Sequence, residues 1–508
     1  MIDVGEQPFV ECRTAAIRRP LSERGLVTLQ CTTGGQLARP TNPRQTVAVL
    51  LVAASAVWLS LAAGCSRESS SAPPGRPNIL LIVPDTLRAD HLGCYGYGRN
   101  TSPRIDRLSQ TAVRYSRAFA SSPWTVPSHA SMFTGLFSFE HGARTHKGPA
   151  PAPADLIAKL ALEHTTLAEV LQQVGYVTGA IVANAAYLHP KFQLNQGFGD
   201  YRVNHARSPI INEMVFSWLD ANRDKPFFLF VNYMDTHRVY NTSPRPGLLP
   251  TPAVQDNGEL LDELIRRTLP GQGQIPQKLV QKVIDQYDTA IANVDASIGA
   301  LLDGLAAMGL HDNTLIVLTS DHGEYFGEHH LVEHSKDVYQ PVLFVPLIIK
   351  VPGVRIARVD DTLVSSVDLP HMILSLLPPA VAGKCMSEFP HVPGNHPVLS
   401  ENYYTRARDL YNPIWGHRFD RVRTVIYGWP YKYIRSSDDR HELYDLIKDP
   451  SEMNNLISVR PEVAQRMAGQ LADFQARRRA ARSVTSQTGP VEYDESMLEK
   501  LRDLGYVE

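Results

Sequence analysis

The chain has 508 residues, 43% hydrophobic and 20% charged, a composition typical of a globular protein with a sizeable core. Its 50 basic and 52 acidic side chains nearly cancel, to a net charge of −2, and form no basic stripe, which argues against a nucleic-acid partner. Five cysteines are too few for a disulfide scaffold, and the lack of a Cys-x-x-Cys pair gives no indication of a zinc ribbon.

The first 65 residues are interpreted as an extension that ends in a targeting segment. Arg39 and Arg44 precede an apolar run over 46–63, and small residues lead from that run to Cys65. This order is typical of a signal peptide. The small residues before Cys65 also resemble a bacterial lipobox, which predicts lipidation of that cysteine. Residues 66–77, rich in Ser and Pro, would then form a flexible tether.

A retained transmembrane helix is the alternative, because the apolar run is close to the length that spans a bilayer. Both interpretations place the rest of the chain outside the cytoplasm. We therefore expect an exported protein of the bacterial cell envelope, periplasmic or at the surface. Its N-terminal lipid anchor would hold it to the membrane.

From residue 78 onward, short apolar runs alternate with helical patterns. Helical periodicity is clearest over 166–174 and 281–308. The alternation predicts an α/β catalytic domain over 78–384, with a mostly parallel central sheet flanked by helices. The apolar runs, each typical of a strand buried on both faces, are 78–83, 177–183, 227–233, 315–319 and 345–350.

The pattern changes near residue 385. Short strands are predicted at 423–426 and 431–434, joined by a Gly-Trp-Pro turn, and a helix is predicted over 461–479. We therefore expect a smaller C-terminal α+β subdomain over 385–508, with short antiparallel strands and a terminal helix.

Acidic and imidazole side chains follow three of the predicted strands. Asp85 follows the first run, Asp235 and His237 follow the third, and Asp321 and His322 follow the fourth. Because ligands bind beyond the carboxyl ends of parallel strands, we expect these side chains at one edge of the sheet. Carboxylate oxygens with imidazole nitrogens suit a divalent cation such as Mn²⁺, Zn²⁺ or Ca²⁺. Any single aspartate could instead cap a helix.

The segment from Trp124 to Gly135 places a hydroxyl at a predicted helix start. Pro127 suits the first turn and Gly135 the C-terminal stop, so Thr125 lies at or just before the N-terminus. Free backbone N–H groups and the helix dipole there favour an anionic substrate. A hydroxyl coordinated to a metal can ionise and attack phosphorus or sulfur. The alternative is that Thr125 only caps the helix.

These segments together resemble the sulfatase family, within the alkaline phosphatase superfamily, over nearly the whole chain after the tether. Residues 77–96 resemble the first strand and metal loop, and Ser320–Glu324 with Gly327–His329 resembles the second metal loop. Thr125–His129, followed by Thr134-Gly135, occupies the place of the signature Cys-x-Pro-Ser-Arg…Thr-Gly. Further matching segments are the strand at 345–349 and the C-terminal signature at 442–456.

The sequence departs from the family pattern at four positions. Sulfatases convert the Cys or Ser of the signature to formylglycine, whereas Thr125 carries an extra methyl group and has no route to that aldehyde. His129 replaces the signature arginine. Thr86 replaces one of the paired aspartates of the first metal loop, and His322 replaces the asparagine of the second.

Asp85, Thr125, Asp321 and His322 together resemble another branch of the superfamily. Nucleotide pyrophosphatases/phosphodiesterases and the phosphoglycerol and phosphoethanolamine transferases use acid, Thr, Asp and His around one metal. In those enzymes the threonine is the nucleophile and passes through a covalent phospho-enzyme. The resemblance therefore implies that these four residues are metal ligands in this chain, with Thr125 as the nucleophile.

The resemblance implies roles for five further residues. His237 stands near the leaving group, as proton donor or hydrogen-bond partner, and Lys336 would hold a non-bridging oxygen of the substrate. His129, at the signature position, is counted among the catalytic residues. Asp235 and His334 form a second metal or substrate site with His237, or are solvated loop and capping residues.

These observations predict a metal-dependent hydrolase that cleaves phosphate or sulfate esters through a covalent intermediate on Thr125. The expected substrate is a small-molecule, glycan or lipid ester. The threonine nucleophile favours phosphorus over sulfur. Two alternatives stay open: a phosphoryl-group transferase of the phosphoglycerol or phosphoethanolamine type, and a binding lipoprotein that keeps the fold without catalysis.

Overall fold

The computed structural model describes residues 76–148, 156–240, 247–249, 253–389, 391–481 and 488–503. Cys65, the N-terminal extension and nearly all of the tether lie outside these residues. Their interpretation as a lipobox and linker stays a prediction.

Eighteen strands, many of only two or three residues, are present in the described part of the chain. They are β1 (Asn78–Pro84), β2 (Val113–Tyr115), β3 (Ala118–Phe119), β4 (Thr145–His146), β5 (Leu156–Ile157), β6 (Val177–Val182), β7 (Asp200–Val203), β8 (Phe227–Tyr233), β9 (Thr314–Thr319), β10 (Tyr325–Phe326), β11 (Val332–Glu333), β12 (Leu347–Lys350), β13 (Arg358–Asp360), β14 (Val364–Ser365), β15 (Val398–Tyr403), β16 (Val422–Gly428), β17 (Tyr431–Ser436) and β18 (Glu442–Asp445).

Thirteen α-helices connect and cover the strands in the same described residues. They are α1 (Pro103–Ser109), α2 (Thr125–Thr134), α3 (Ser138–His141), α4 (Leu167–Gln173), α5 (Ser208–Asn222), α6 (Glu259–Thr268), α7 (Gln277–Ala307), α8 (Gln340–Leu343), α9 (Leu369–Ser375), α10 (Pro379–Ala382), α11 (Ala407–Leu410), α12 (Pro461–Ala481) and α13 (Glu495–Asp503).

An eight-stranded sheet forms the centre of the fold, in the order β13-β2-β12-β9-β1-β8-β6-β7. Strand β1 pairs in parallel with both β8 and β9, and β6 pairs in parallel with β7 and β8. Strand β12 runs antiparallel to its neighbours β9 and β2. Strands β1, β8 and β9 are buried along their whole length, as expected for apolar strands covered on both faces.

The flanking helices pack on this sheet and on one another. Helix α4 contacts β6, α5 contacts β6 and β8, and the long helix α7 contacts α1 and α5. Helix α7 is also long and apolar enough to cross a membrane, but half of its apolar window is buried inside the fold. That burial is typical of the core helix of a globular domain.

A second, four-stranded sheet lies near the C-terminus. It is antiparallel in the order β15-β16-β17-β18, and α12 packs on β16 and β17. The Glu401 N–H donates to the Ser121 carbonyl at 2.8 Å, and the Ser400 hydroxyl donates to the Ala120 carbonyl at 2.6 Å. The small sheet is thereby joined to the segment that leads into α2.

The predicted architecture is confirmed: a mostly parallel central sheet with flanking helices, and a small antiparallel sheet near the C-terminus. The strand predicted at 345–350 begins two residues later, at Leu347, after Pro346, which has no N–H to donate to a strand ladder. The boundary proposed at residue 385 stays a prediction.

Candidate active site

Polar side chains follow the parallel strands at one edge of the central sheet. The register places Pro84 of β1 beside Tyr233 of β8, and Ile82 beside Leu318 of β9. Asp85 therefore emerges next to the residues that follow β8 and β9. The structure thus brings the ends of β1, β8 and β9 to one edge of the sheet.

Asp85 is fully buried, with its two carboxylate oxygens in different environments. Oδ2 accepts a hydrogen bond from the Asn184 amide at 2.9 Å, and Oδ1 has no hydrogen-bond partner among the described residues. Burial, followed by repulsion from Asp321, raises the pKa of Asp85 to about 8. Asn184 follows β6, so a third strand end contributes to the same site.

Asp321 and His322 follow β9 and are also fully buried. Asp321 Oδ1 accepts the backbone N–H groups of Thr86 at 3.2 Å and His322 at 3.0 Å. Its Oδ2 lies 3.3 Å from His322 Nε2, which lies 3.7 Å from Asp85 Oδ1. Burial raises the pKa of Asp321 to about 7.

The ring of His322 is oriented by a backbone contact. Nδ1 lies 3.0 Å from the Gly323 carbonyl, so it carries the proton and donates a hydrogen bond to that oxygen. In the neutral ring, Nε2 therefore turns its lone pair toward the two carboxylates. Burial lowers the pKa of His322, which favours this neutral form.

Asp85, Asp321 and His322 form the group of ligand-type side chains that we name the metal cradle. One ligand atom of each lies within 4.8 Å of the others. Among the described residues, no other group of three or more His, Cys, Asp or Glu side chains brings its ligand atoms this close together. Three lone pairs converge in a buried space, an arrangement that repels itself unless a cation or proton intervenes. The donor set of two carboxylates and one imidazole fits a divalent cation.

Thr125 lies at the first position of α2 and is fully buried. The residue before it, Trp124, is extended, and Gly135 ends the helix in the left-handed conformation, at φ +64°. The Thr125 hydroxyl caps nothing: Oγ1 has no hydrogen-bond partner among the described residues. An unpaired hydroxyl at a helix N-terminus is consistent with a ligand or substrate contact there.

Two residues of α2 hold the helix against the metal cradle. The Ser128 hydroxyl donates to the Asp321 backbone carbonyl at 2.6 Å. His129 Nδ1 donates to the Thr125 carbonyl at 2.9 Å and lies 3.6 Å from Asp321 Oδ2. Burial lowers the pKa of His129 to about 3, so the ring is neutral and orients Thr125 and Asp321 without adding charge. Its Nε2 has no hydrogen-bond partner in the described residues.

Thr86, at the position of the family's second aspartate, does not join the cradle. Its backbone is left-handed at φ +60°, and its hydroxyl donates to the Thr236 carbonyl at 2.5 Å. The Thr236 hydroxyl in turn donates to the Asp85 carbonyl at 2.5 Å. Thr86 therefore fixes the loop that carries Asp85.

His237 and His334 extend the site beside His322. The His334 ring centroid lies 4.6 Å from that of His322 and 5.1 Å from that of His237. His237 Nδ1 donates to the Arg238 carbonyl at 2.8 Å, and His334 Nδ1 lies 3.0 Å from Glu324 Oε1. Burial is the main cause that lowers the pKa of both rings, that of His237 to about 3. Both are therefore neutral imidazoles in this arrangement.

Lys336 is buried in a group of charges next to His334. Its amine lies 2.8 Å from Glu333 and 3.1 Å from Asp409. The carboxylate of Glu333 also forms ion pairs with three arginines. We name the Glu333 cluster as Glu333, Lys336, Arg238, Arg406 and Arg408.

The hydrogen bonds of Asp235 go to the start of α5 rather than to another predicted site residue. Its carboxylate accepts the Ser208 N–H at 3.1 Å and the Ser208 hydroxyl at 3.0 Å, at the start of α5. It therefore holds a helix N-terminus. Among the described residues, Asp235, His237 and His334 do not form a second group of metal-ligand geometry.

Three buried residues with direct site contacts were not singled out from the sequence. Asn184 does carry a signal, because it comes directly after the strand predicted at 177–183, at the same kind of strand end as Asp85. Glu324 lies in the segment that resembles the second metal loop, but no role was predicted for it. Arg406 carries no local signal, because its partner Glu333 lies 73 residues away in the sequence.

Comparison with known proteins adds a family match over most of the described fold. Residues 77–379 match the family model described as Sulfatase, and residues 327–477 match the one described as N-sulphoglucosamine sulphohydrolase, C-terminal. An N-acetylglucosamine-6-O-sulfatase from Bacteroides thetaiotaomicron is 24% identical over 80% of this chain and 86% of its own length.

Two solved structures share the fold. A phosphonate monoester hydrolase of Agrobacterium radiobacter superposes with a TM-score of 0.59 at 21% identity, covering 82% of this chain and 100% of its own. A protein solved in complex with its substrate D-glucosamine-2-N,6-O-disulfate gives a TM-score of 0.59 at 22% identity, covering 80% of this chain and 99% of its own.

Proposed function

This chain belongs to the sulfatase family of hydrolases, and from that premise we propose that it cleaves sulfate or phosphate esters with Thr125 as a metal-activated nucleophile. One observation carries the proposal. Five buried polar atoms of the candidate site have no hydrogen-bond partner among the described residues: Asp85 Oδ1, Thr125 Oγ1, His129 Nε2, Asp321 Oδ2 and His322 Nε2. The ligand atoms of Asp85, Asp321 and His322 lie within 4.8 Å of one another. Buried polar atoms in folded proteins are nearly always paired, so such a concentration points to a ligand.

The metal cradle and Thr125 would hold the cation between them. A bound divalent cation supplies Lewis acidity, which lowers the pKa of a coordinated hydroxyl and offsets charge on the substrate oxygens. Asp85, Asp321 and His322 provide the lone pairs, and Thr125 provides the hydroxyl. The cation would also remove the repulsion between the two carboxylates, which are otherwise costly to bury.

The α2 N-terminus positions the nucleophile and the substrate. Its free backbone N–H groups would attract an anionic group bound next to Thr125. His129 and Ser128 tie the first turn of α2 to Asp321, so the hydroxyl and the cradle keep a fixed separation. Attack by the Thr125 oxygen on sulfur or phosphorus would form a threonine ester and release the alcohol, and water would then hydrolyse that ester.

His237 is the candidate for the leaving-group proton. Its Nδ1 donates to the Arg238 carbonyl, so Nε2 accepts a proton in the neutral ring. A proton donor at Nε2 therefore has to be the imidazolium, which a negatively charged substrate nearby would favour. His334 lies beside it and can share that hydrogen-bonding role.

The relatives support esters of sulfate and of phosphorus oxyacids alike. One relative is a 6-O-sulfatase of N-acetylglucosamine, and one of the structural neighbours is a phosphonate monoester hydrolase. A threonine nucleophile, which cannot become formylglycine, favours esters of phosphorus oxyacids over sulfate esters. The substrate would be a small-molecule, glycan or lipid ester.

A substrate panel tests the proposal. The protein, supplied in turn with Mn²⁺, Zn²⁺ and Ca²⁺, would be assayed on an aryl sulfate, a phosphate monoester, a phosphodiester and a phosphonate monoester. We expect turnover of at least one, lost on chelation. Thr134→Ala is the matched control for Thr125→Ala, because Thr134 is a buried threonine of the same helix whose hydroxyl donates to the Ala130 carbonyl within that helix.

We also propose that Cys65 is lipidated and anchors the mature protein to the bacterial envelope. The support is the sequence alone: basic residues, an apolar run and small residues directly before the cysteine. Mass spectrometry of the mature protein should show an acylated N-terminal Cys65. An intact chain upstream of that cysteine would contradict the proposal.

A further inference from the structure

The Glu333 cluster adjoins the candidate active site along the chain and in space. Arg238 directly follows His237, and Glu333 directly precedes His334. The Glu333 carboxylate lies 2.6 Å from the Arg238 guanidinium and 2.9 Å from that of Arg406. The cations of the cluster therefore border the histidines that would face the leaving group.

Two arginines of the cluster come from the C-terminal part of the chain. Arg406 and Arg408 follow β15, and the end of that strand is pinned to the loop of Lys336. The Asn402 amide donates to the Ser335 carbonyl at 3.0 Å, and the Ser335 N–H donates to the Pro123 carbonyl at 3.0 Å. The same contacts thus connect the arginines to the segment that begins α2.

The charges of the cluster are predominantly positive. Four cationic side chains meet the buried carboxylates of Glu333 and Asp409, and a third carboxylate, Asp262, reaches Arg238 from the surface. Burial opposes the charge of Glu333, but the surrounding cations outweigh it and hold its pKa well below the usual range. The side chain of Arg238 is 8% exposed, and its Nε has no hydrogen-bond partner in the described residues.

The three arginines of the cluster converge on one buried carboxylate. Arg238, Arg406 and Arg408 lie 2.6, 2.9 and 2.9 Å from Glu333. An anion bound among these groups would be attracted by several cations in a region of low dielectric constant.

We propose that Arg238, Arg406 and Arg408 form a second anion subsite beside the ester-cleaving centre. The substrate then carries a further carboxylate, sulfate or phosphate in addition to the ester that is attacked. This inference rests on the proposed function, which it deepens by naming a polyanionic substrate class. Guanidinium groups suit such a site because they bind planar and tetrahedral anions with paired hydrogen bonds.

Binding of matched unreactive anions tests the subsite. Benzenesulfonate, benzene-1,3-disulfonate and 3-sulfobenzoate would be titrated calorimetrically into the metal-loaded protein. Wild-type protein should bind the disulfonate about tenfold more tightly than the monosulfonate, as one added charge-assisted hydrogen-bonded contact implies. Equal tightening by 3-sulfobenzoate would identify a carboxylate as an acceptable second group, and tightening by the disulfonate alone would restrict it to sulfate or phosphate.

Three variants complete the test. Arg406→Gln and Arg408→Gln should each bring the ratio of the two affinities close to one, while benzenesulfonate binding changes by less than about threefold. Arg440→Gln is the control, since Arg440 is an exposed arginine paired with Asp438 outside the cluster, and it should keep the wild-type ratio. If buried Arg406 cannot be replaced without unfolding, Arg408, whose side chain is 29% exposed, carries the test.

Two results would overturn the subsite: equal wild-type affinity for the mono- and disulfonate, or a uniform loss of both in the arginine variants. The latter would assign the cluster a purely structural role. Because binding is measured without turnover, a protein that hydrolyses no ester yet prefers the disulfonate would contradict only the proposed function.

Discussion

Two of the groups of buried charges in the described fold are built in opposite ways. In the metal cradle, two carboxylates face each other and a neutral imidazole, with a lone pair of each unpaired among the described residues. In a second group, which we name the C-terminal ion network, each carboxylate faces a cation. Its pairs are Lys432–Glu452, Arg421–Asp337 and Arg423–Glu442, at 2.6, 2.7 and 2.7 Å.

The pKa shifts follow the same contrast. Burial raises the pKa of Asp85 to about 8, whereas at Asp337 the charges of Arg423 and Arg421 outweigh burial and lower the pKa. A protein that only had to be stable would pair its buried acids, as the C-terminal ion network does. The metal cradle leaves them opposed, which is expected where a ligand completes the site. The two regions should therefore respond to substitution in opposite ways.

The largest expected effect is on the metal cradle's function. Asp321→Ala removes one of the three ligand atoms and should lose the bound cation, and turnover should fall by roughly a thousandfold or more. Elemental analysis of the purified variant measures the loss of the cation, and its thermal melting point shows whether the variant is folded. Full metal content in a folded Asp321→Ala protein would show that the cation binds at another place.

The next effect is on stability, in the C-terminal ion network. Glu452→Gln leaves the fully buried Lys432 ammonium without its counter-charge and should lower the free energy of unfolding by about 3–5 kcal/mol. Chemical denaturation measures the change. The double variant Lys432→Met/Glu452→Met is the control and should recover most of the loss; a harmless single substitution would mean that the pair is not buried as described.

A smaller effect of opposite sign is expected in the metal cradle of the metal-free protein. Asp85→Asn replaces an unpaired carboxylate oxygen by a group that can donate to His322 Nε2, 3.7 Å away, or to Asp321. We expect the chelated variant to be more stable than chelated wild type by about 1 kcal/mol, although it binds the cation less well. Destabilisation of the chelated variant would remove the contrast between the two regions.

The smallest effect is a pH dependence outside both groups. His396 Nδ1 faces the Pro397 carbonyl at 2.9 Å and Nε2 faces Asp368 at 2.5 Å, so both nitrogens carry protons in this arrangement. Burial and the charge of Arg478 oppose the charged ring, burial more strongly, but the hydrogen bond and charge of Asp368, with the Pro397 carbonyl, outweigh them and raise the pKa of His396.

A raised folded-state pKa stabilises the protein fully below the unfolded value of about 6.5 and loses that stabilisation as pH rises through the folded value. Unfolding free energies of wild type should therefore decline above neutral pH more steeply than those of His396→Gln. Parallel curves for the two proteins would contradict the assignment.

Long apolar runs made the central sheet predictable from the sequence. Strands β1, β8 and β9 are buried on both faces, and their apolar runs end where the polar site residues begin. Strand β2 and the edge strand β13 were missed, because each has three residues, partly exposed, and forms only through pairing with a distant segment.

The candidate site was predictable where a strand end determines it. Asp85, Asp321 and His322 follow this rule and lie together. Asp235 follows it too, but the nearby start of α5 takes up its carboxylate. Of the Glu333 cluster, Lys336 was pointed to by the family resemblance. The arginines carry no local signal, since they come from 238 and from 406–408 and meet only in the folded chain.

Catalysis as proposed depends on attack of the Thr125 oxygen on the substrate. The most direct measurement is mass spectrometry of the metal-loaded enzyme, acid-quenched during turnover of the best substrate in the panel and digested to peptides. We predict a sulfuryl or phosphoryl group on Thr125, absent from Thr125→Ala, which should be inactive but folded. Undiminished turnover by Thr125→Ala, with the modification absent from wild type, would contradict the account.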